Sequence, residues 1–176
     1  MRPAGCDISL GNRAEAHSAQ FDLAGGDQGR KGMWKMVIWP VLTVVVLALA
    51  YVRLAPSDPS VWNGASSVPG TESRQLDGGY VWRKVMDSDA TAVLEKLKAA
   101  AEATPRTVLL TGSVEAGQMT YVTRSKVIGF PDYTTISLRQ TPEGQPFVEV
   151  YARLRFGKSD LGVNAKRVKS WVGTIE

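Results

Sequence analysis

Residues Met36 to Val52 read MVIWPVLTVVVLALAYV, seventeen residues without a charge. As a helix this run spans about 25 Å, enough for a slightly thin hydrocarbon core. Lipid obliges every backbone group to pair internally, so the β-branched residues do not argue against a helix here. Trp34, Trp39 and Tyr51 lie near the ends, where interfacial anchors sit. Pro40 is expected in the first turn, where its missing N–H costs least. The run predicts one transmembrane helix; the competing reading is the buried core helix of a soluble domain.

Arg30, Lys31 and Lys35 precede the run, and Arg53 follows it closely. Basic residues stay on the cytoplasmic side, which sends the C-terminal part across the membrane. The expectation is a single-pass protein of the bacterial inner membrane with a periplasmic C-terminal domain. A cleaved signal peptide competes, because Ala48-Leu49-Ala50 has the small-residue spacing of a cleavage site. Residues 1–32 have no hydrophobic period and read as a disordered leader. Translation starting at Met33 would omit them.

From Ser57 to Glu176 there are 15 Lys and Arg against 13 Asp and Glu, a formal +2. Such a balance does not imply nucleic acid. Cys6 is the one cysteine, so the exported part has no disulfide, thiolate metal site or cysteine nucleophile. His17 is the one histidine and precedes the membrane run, which removes nucleophile–histidine catalysis. No metal site or cofactor is implied.

Residues 33–53 are the anchor and 54–78 a linker broken by Pro56, Pro59 and Pro69. A domain over 79–176 follows. A strand is expected at 79–85. A helix capped by Asp87 or Ser88 then carries Ala90, Val93, Leu94, Leu97, Ala100 and Ala101 on one face, and Pro105 ends it. Strands follow at 107–113, 119–124, 134–139 and 147–156, with 129–132 a turn or bulge. In the last strand Val148, Val150, Ala152, Leu154 and Phe156 point to the core. Glu149, Tyr151, Arg153 and Arg155 are expected to face water or a groove. A final helix runs from about 162 to 172. The fold class is α+β: a mainly antiparallel sheet of about five strands with helices on one face, after one transmembrane helix.

Three stretches carry a resemblance. They are Leu54-Ala55-Pro56-Ser57-Asp58-Pro59, then Tyr121-Val122-Thr123-Arg124-Ser125 with Gly129-Phe130-Pro131-Asp132, and Arg153-Leu154-Arg155-Phe156-Gly157-Lys158-Ser159-Asp160-Leu161-Gly162-Val163-Asn164 with Arg167-Val168. Over residues 54–172 the chain resembles the DUF1499 family, bacterial and plastid-associated sequences without an established activity. It departs from that pattern in two places. Trp62-Asn63 stands where related sequences often carry a histidine, and a Cys-Val-Ser-Ser-like segment has no counterpart here. The resemblance implies no chemistry.

The candidate ligand-binding residues are Arg124, Asp132, Arg153, Arg155, Lys158, Ser159, Asp160, Asn164 and Arg167. From Thr120 to Glu176 the chain holds nine basic and five acidic residues. Arg124, Arg153, Arg155 and Lys158, with the 157–162 backbone, are read as an anion-accepting patch, since guanidinium forks suit carboxylate and phosphate. Two other readings stay open. Asp132 and Asp160 neutralise these arginines in a structural or protein-interaction module, or act as a carboxylate-dependent hydrolase. Partners expected are the membrane through residues 36–52 and a small anion, a lipid headgroup or an envelope protein, with no nucleic acid.

Overall fold

The computed structural model describes residues 26–86 and 89–175. The chain divides into two compact units, Met1–Thr43 and Val44–Glu176. Helix α1 covers Gly26–Leu54. Its segment Trp34–Leu54, 21 residues, is long and apolar enough to cross a membrane. Side chains such as Val44, Val46 and Leu47 are well exposed, an arrangement that suits lipid and not water. A buried core helix is therefore excluded. The helix starts earlier than the uncharged run, so Pro40 lies in its interior and not in the first turn. Membrane helices tolerate such a proline where Ser or Thr side chains, neighbouring helices or small backbone adjustments satisfy the group it leaves free. The expected disordered leader lies outside the described residues up to 25, and from Gly26 onward the chain is helical.

In the second unit, α2 (Pro59–Trp62) is a single turn capped by Asp58. The strands are β1 (Arg74–Leu76), β2 (Gly79–Val85), β3 (Thr107–Ser113), β4 (Gln118–Arg124), β5 (Pro131–Gln140) and β6 (Pro146–Leu154). They form one antiparallel sheet in the order β1-β2-β6-β5-β4-β3. The sheet has six strands because β1 pairs with β2 through a tight turn, a hairpin hidden inside what reads as linker. Pro131 and Asp132, expected in a turn, already belong to β5, since they pair with Arg124 and Thr123 of β4.

Helices α3 (Ala90–Glu102) and α4 (Val163–Val172) cover one face. The cap of α3 is Asp89, whose carboxylate accepts from the Thr91 and Ala92 amides. Asp87 and Ser88, the caps expected from sequence, lie outside the described residues. Leu94, Leu97 and Ala101 of α3 meet Val168, Trp171 and Val172 of α4 over Met119, Tyr121, Ile136 and Val150. Each fully buried aliphatic side chain here contributes about 1.5–3 kcal/mol. The Trp171 indole N–H donates to Thr104 Oγ1 at 2.8 Å, tying the end of α4 to the end of α3. Burial raises the Tyr121 phenol to about 12, with Glu102 and Glu95 adding to the shift. In β3 the register slips between Leu109 and Thr111, next to Gly112 at φ 93°. A Cβ there would collide with the Gln118 carbonyl, so the bulge requires glycine.

The opposite face of the sheet is covered by residues 55–70. Trp62 stacks on Tyr133 at 3.9 Å between centroids and 8° between planes. Asn63 accepts from Gln118 Nε2 and Thr120 Oγ1 through its side-chain oxygen. Glu149, expected to face water or a groove, is fully buried beneath this segment. Its carboxylate accepts from the Ser66 amide and hydroxyl, both at 2.8 Å, and from Arg83 Nε at 2.7 Å. Arg83 also donates to the Val68 and Gly70 carbonyls at 2.6 Å. The linker is thus a third layer, fastened by a buried ion pair whose remaining hydrogen-bonding capacity it fills.

Candidate functional site

Arg153 and Arg155 do share one face of β6 and its extension, but the covering segment occupies both. Arg153 donates to Thr135 Oγ1 at 3.2 Å and to the Trp62 carbonyl, with its guanidinium 4.5 Å from the Tyr151 ring centroid. Burial lowers its pKa from the ordinary guanidinium value. Arg155 donates to the Pro56 carbonyl at 2.8 Å and to the Tyr133 hydroxyl at 3.1 Å. Both guanidiniums therefore clasp the stretch just after α1. Lys158 and Ser159 are exposed in the loop that follows β6. The Ser159 hydroxyl accepts from the Leu161 amide at 3.3 Å.

Asp132, Asp160, Asn164 and Arg167 lie on the helix side of the sheet. Asp132 pairs with Leu154 in the ladder, and Leu154 follows the core-facing Val150 and Ala152 in the alternation. Arg167 donates to Asp132 Oδ2 at 3.2 Å and to Asn164 Oδ1 at 2.9 Å. Asp160 accepts from the Gly162 and Asn164 amides at 3.1 and 2.7 Å, closing the first turn of α4. Burial pushes the Asp132 carboxyl above the usual range, Arg167 pulls it down, and Asp160 adds a smaller upward push. The expected set therefore divides between the two faces of the sheet. The structure brings Asp132, Asn164 and Arg167 together and keeps Arg153 and Arg155 apart from them.

A different basic concavity does form. It lies between the start of β3, the end of β4 and α4, with a volume of about 460 Å³. Arg106, Arg124, Lys126, Lys166 and Arg167 line it, and no carboxylate does. Arg124 and Arg167 belong to the site expected from sequence; Arg106, Lys126 and Lys166 do not. The hairpin itself held the missing signal. Thr107 pairs with Thr123, so Arg106 and Arg124 stand at the ends of neighbouring strands, and Lys166 precedes Arg167 on α4. Arg106 Nε donates to the Arg124 carbonyl at 3.1 Å, and the Arg124 amide donates back to the Arg106 carbonyl at 3.0 Å. Arg124 Nη1 reaches the Gly129 carbonyl at 3.1 Å. Among the described residues, Arg106, Arg124, Lys126 and Lys166 make no ion pair.

Arg106 and Leu161 are the two non-glycine residues at positive φ among those described, at 61° and 52°. Each costs about 1–2 kcal/mol for an L-residue with a Cβ. Arg106 lines the basic groove; Leu161 is the most exposed large apolar residue in the loop after β6, at 93%.

These features define a small α+β domain that follows a membrane-length helix and presents a basic groove. The family model described as protein of unknown function (DUF1499) matches residues 56–175, and the chain belongs to that family. No curated protein matches the chain.

Proposed function

We propose that this chain is a membrane-anchored binding or accessory domain, held in the periplasm of a bacterial cell by α1, whose basic groove accepts an anionic group. The observation that carries this reading is the lining: Arg106, Arg124, Lys126 and Lys166, none of them in an ion pair among the described residues, stand around one concavity with Arg167, whose charge Asp132 meets, and no carboxylate lines it. Placing like charges together is unfavourable unless an anion or water screens them. The strained Arg106 backbone points the same way, since such strain persists where a site requires it. Arg30, Lys31 and Lys35 before the run support the orientation.

A binding role is favoured over a carboxylate-dependent hydrolase. Asp132 is committed to Arg167, and Asp160 to two backbone amides. A general acid or base must reach a substrate proton, and both carboxylates are already spoken for by groups that hold α4 in place.

The test is thermal melting of the full-length chain in uncharged detergent, with and without inorganic phosphate or glycerol phosphate. Ligand at ten times Kd stabilises the folded state by about 1.4 kcal/mol. The expected result is an anion-dependent rise in Tm for the wild type that Lys126→Ala and Lys166→Ala together reduce. Equal shifts in both proteins, or none in either, would contradict the reading.

A further inference from the structure

We infer that the end of the domain carrying the 125–130 and 155–163 loops is a membrane-contact surface, whose apolar tips Val127 and Leu161 enter the headgroup region of an anionic bilayer. This goes beyond the groove's affinity for an anion and stands on the tether and the exposed loop tips, with Lys126 common to both.

The tether places these loops. Leu54 ends α1, Ala55 is buried, and the Pro56 carbonyl is held by Arg155. Two residues of chain reach about 7 Å, so Arg155 is confined close to the end of the membrane-length helix. Side chains within the second unit agree. Tyr51, the last aromatic of the apolar run, meets Phe156 edge-on at 6.5 Å, and Phe156 lies 6.2 Å from Phe130. The side chain of Arg53 passes beside Gly129 at about 3.6 Å from where a Cβ would stand. A residue packed on the end of a membrane span sits at headgroup level, where aromatic rings are favoured.

The same loops expose what a lipid surface would cover. Val127 is 85% exposed and Leu161 93%, with Val163 at 54%. Leu161 is held at positive φ between Asp160 and Gly162, a conformation suited to glycine or asparagine. This leucine therefore carries backbone strain without packing in the domain to offset it. Lys126 and Lys158 flank the two tips and are exposed. The far end of the sheet differs: its β3–β4 and β5–β6 turns carry Glu115 and Glu143. A basic, apolar-tipped end beside the span and acidic turns away from it orient the domain on an anionic surface.

The experiment uses the full-length chain in nanodiscs of phosphatidylcholine with phosphatidylglycerol. Cys6→Ser supplies the background, and single cysteines at Val127, Leu161, Glu115 or Glu143 carry an environment-sensitive fluorophore. Lipids with a nitroxide near the headgroup act as quencher. The expected result is at least threefold stronger quenching at 127 and 161 than at 115 and 143. Lys126→Glu with Lys158→Glu should reduce the quenching at 161. A melting curve for each variant shows that it is folded. Equal, weak quenching at both ends would overturn the inference. Unchanged quenching in the charge-reversed protein would overturn the part assigned to the lysines. The groove's anion response is read in detergent without a bilayer, so failure of either proposal leaves the other standing.

Discussion

Arg83 and Glu149 stand directly opposite each other in the β2–β6 ladder and pair at 2.6 Å with side chains 1% and 0% exposed. Neither side chain is open to water: Ser66 donates to Glu149 and accepts from Arg83, and the carbonyls of Val68 and Gly70 accept the other Arg83 N–H groups. The sheet and its covering segment are fastened at this point.

Glu149→Ala should therefore destabilise the fold by about 3–5 kcal/mol, because it strands a buried guanidinium. The paired replacement Arg83→Met with Glu149→Leu should cost less than either single change. Denaturant titration of the detergent-solubilised chain, arranged as a double-mutant cycle, measures this. Additive single effects would contradict the coupling.

Trp62 holds the same segment further along, by its stack on Tyr133 and by the carbonyl that Arg153 engages. Since Trp62 is only partly buried, Trp62→Ala should cost about 1–3 kcal/mol. Its local effect should be larger. Hydrogen exchange at the Ser66 amide, now bonded to Glu149, should quicken more than exchange in β5. Uniform acceleration throughout the domain would contradict this.

Asp132 should titrate above the usual aspartate value of about 3.9. A folded-state pKa raised above the unfolded one adds stability below the unfolded value, and that contribution is lost as pH rises through the folded value. Burial is the largest cause and Arg167 opposes it, so Arg167→Gln should raise the Asp132 pKa further. Carboxyl NMR titration measures both values. A fall on removing Arg167 would show that the ion pair does not lower it.

Alternation in residues 147–156 identifies which β6 side chains meet the helices, and Val148, Val150 and Ala152 do so. It says nothing about what covers the other side. A segment with three prolines and little hydrophobic period reads locally as coil, and residues 63–69 are coil. Its docking depends on single contacts, Trp62 on Tyr133 and Ser66 on Glu149, which no period announces. Alternation assigns Arg153 and Arg155 to a face but not to its cover, and the cover engages both through the Trp62 and Pro56 carbonyls. The groove, by contrast, was half legible, because hairpin pairing alone sets Arg106 beside Arg124.

Orientation across the membrane has its own test. Alkaline phosphatase, which folds only outside the cytoplasm, should be active when fused after Glu176. A cytoplasm-dependent reporter should be silent at the same position. The reverse pattern would place the basic flank of α1 outside.

The basic groove is tested most directly by following arginine Nε–Hε resonances of the full-length chain in uncharged micelles during a phosphate titration. The groove predicts saturable shifts for Arg106 and Arg124, while Arg153 and Arg155, occupied by the Trp62 and Pro56 carbonyls, stay in place. Shifts confined to Arg153 and Arg155, or no saturable shift at Arg106 and Arg124, would contradict it.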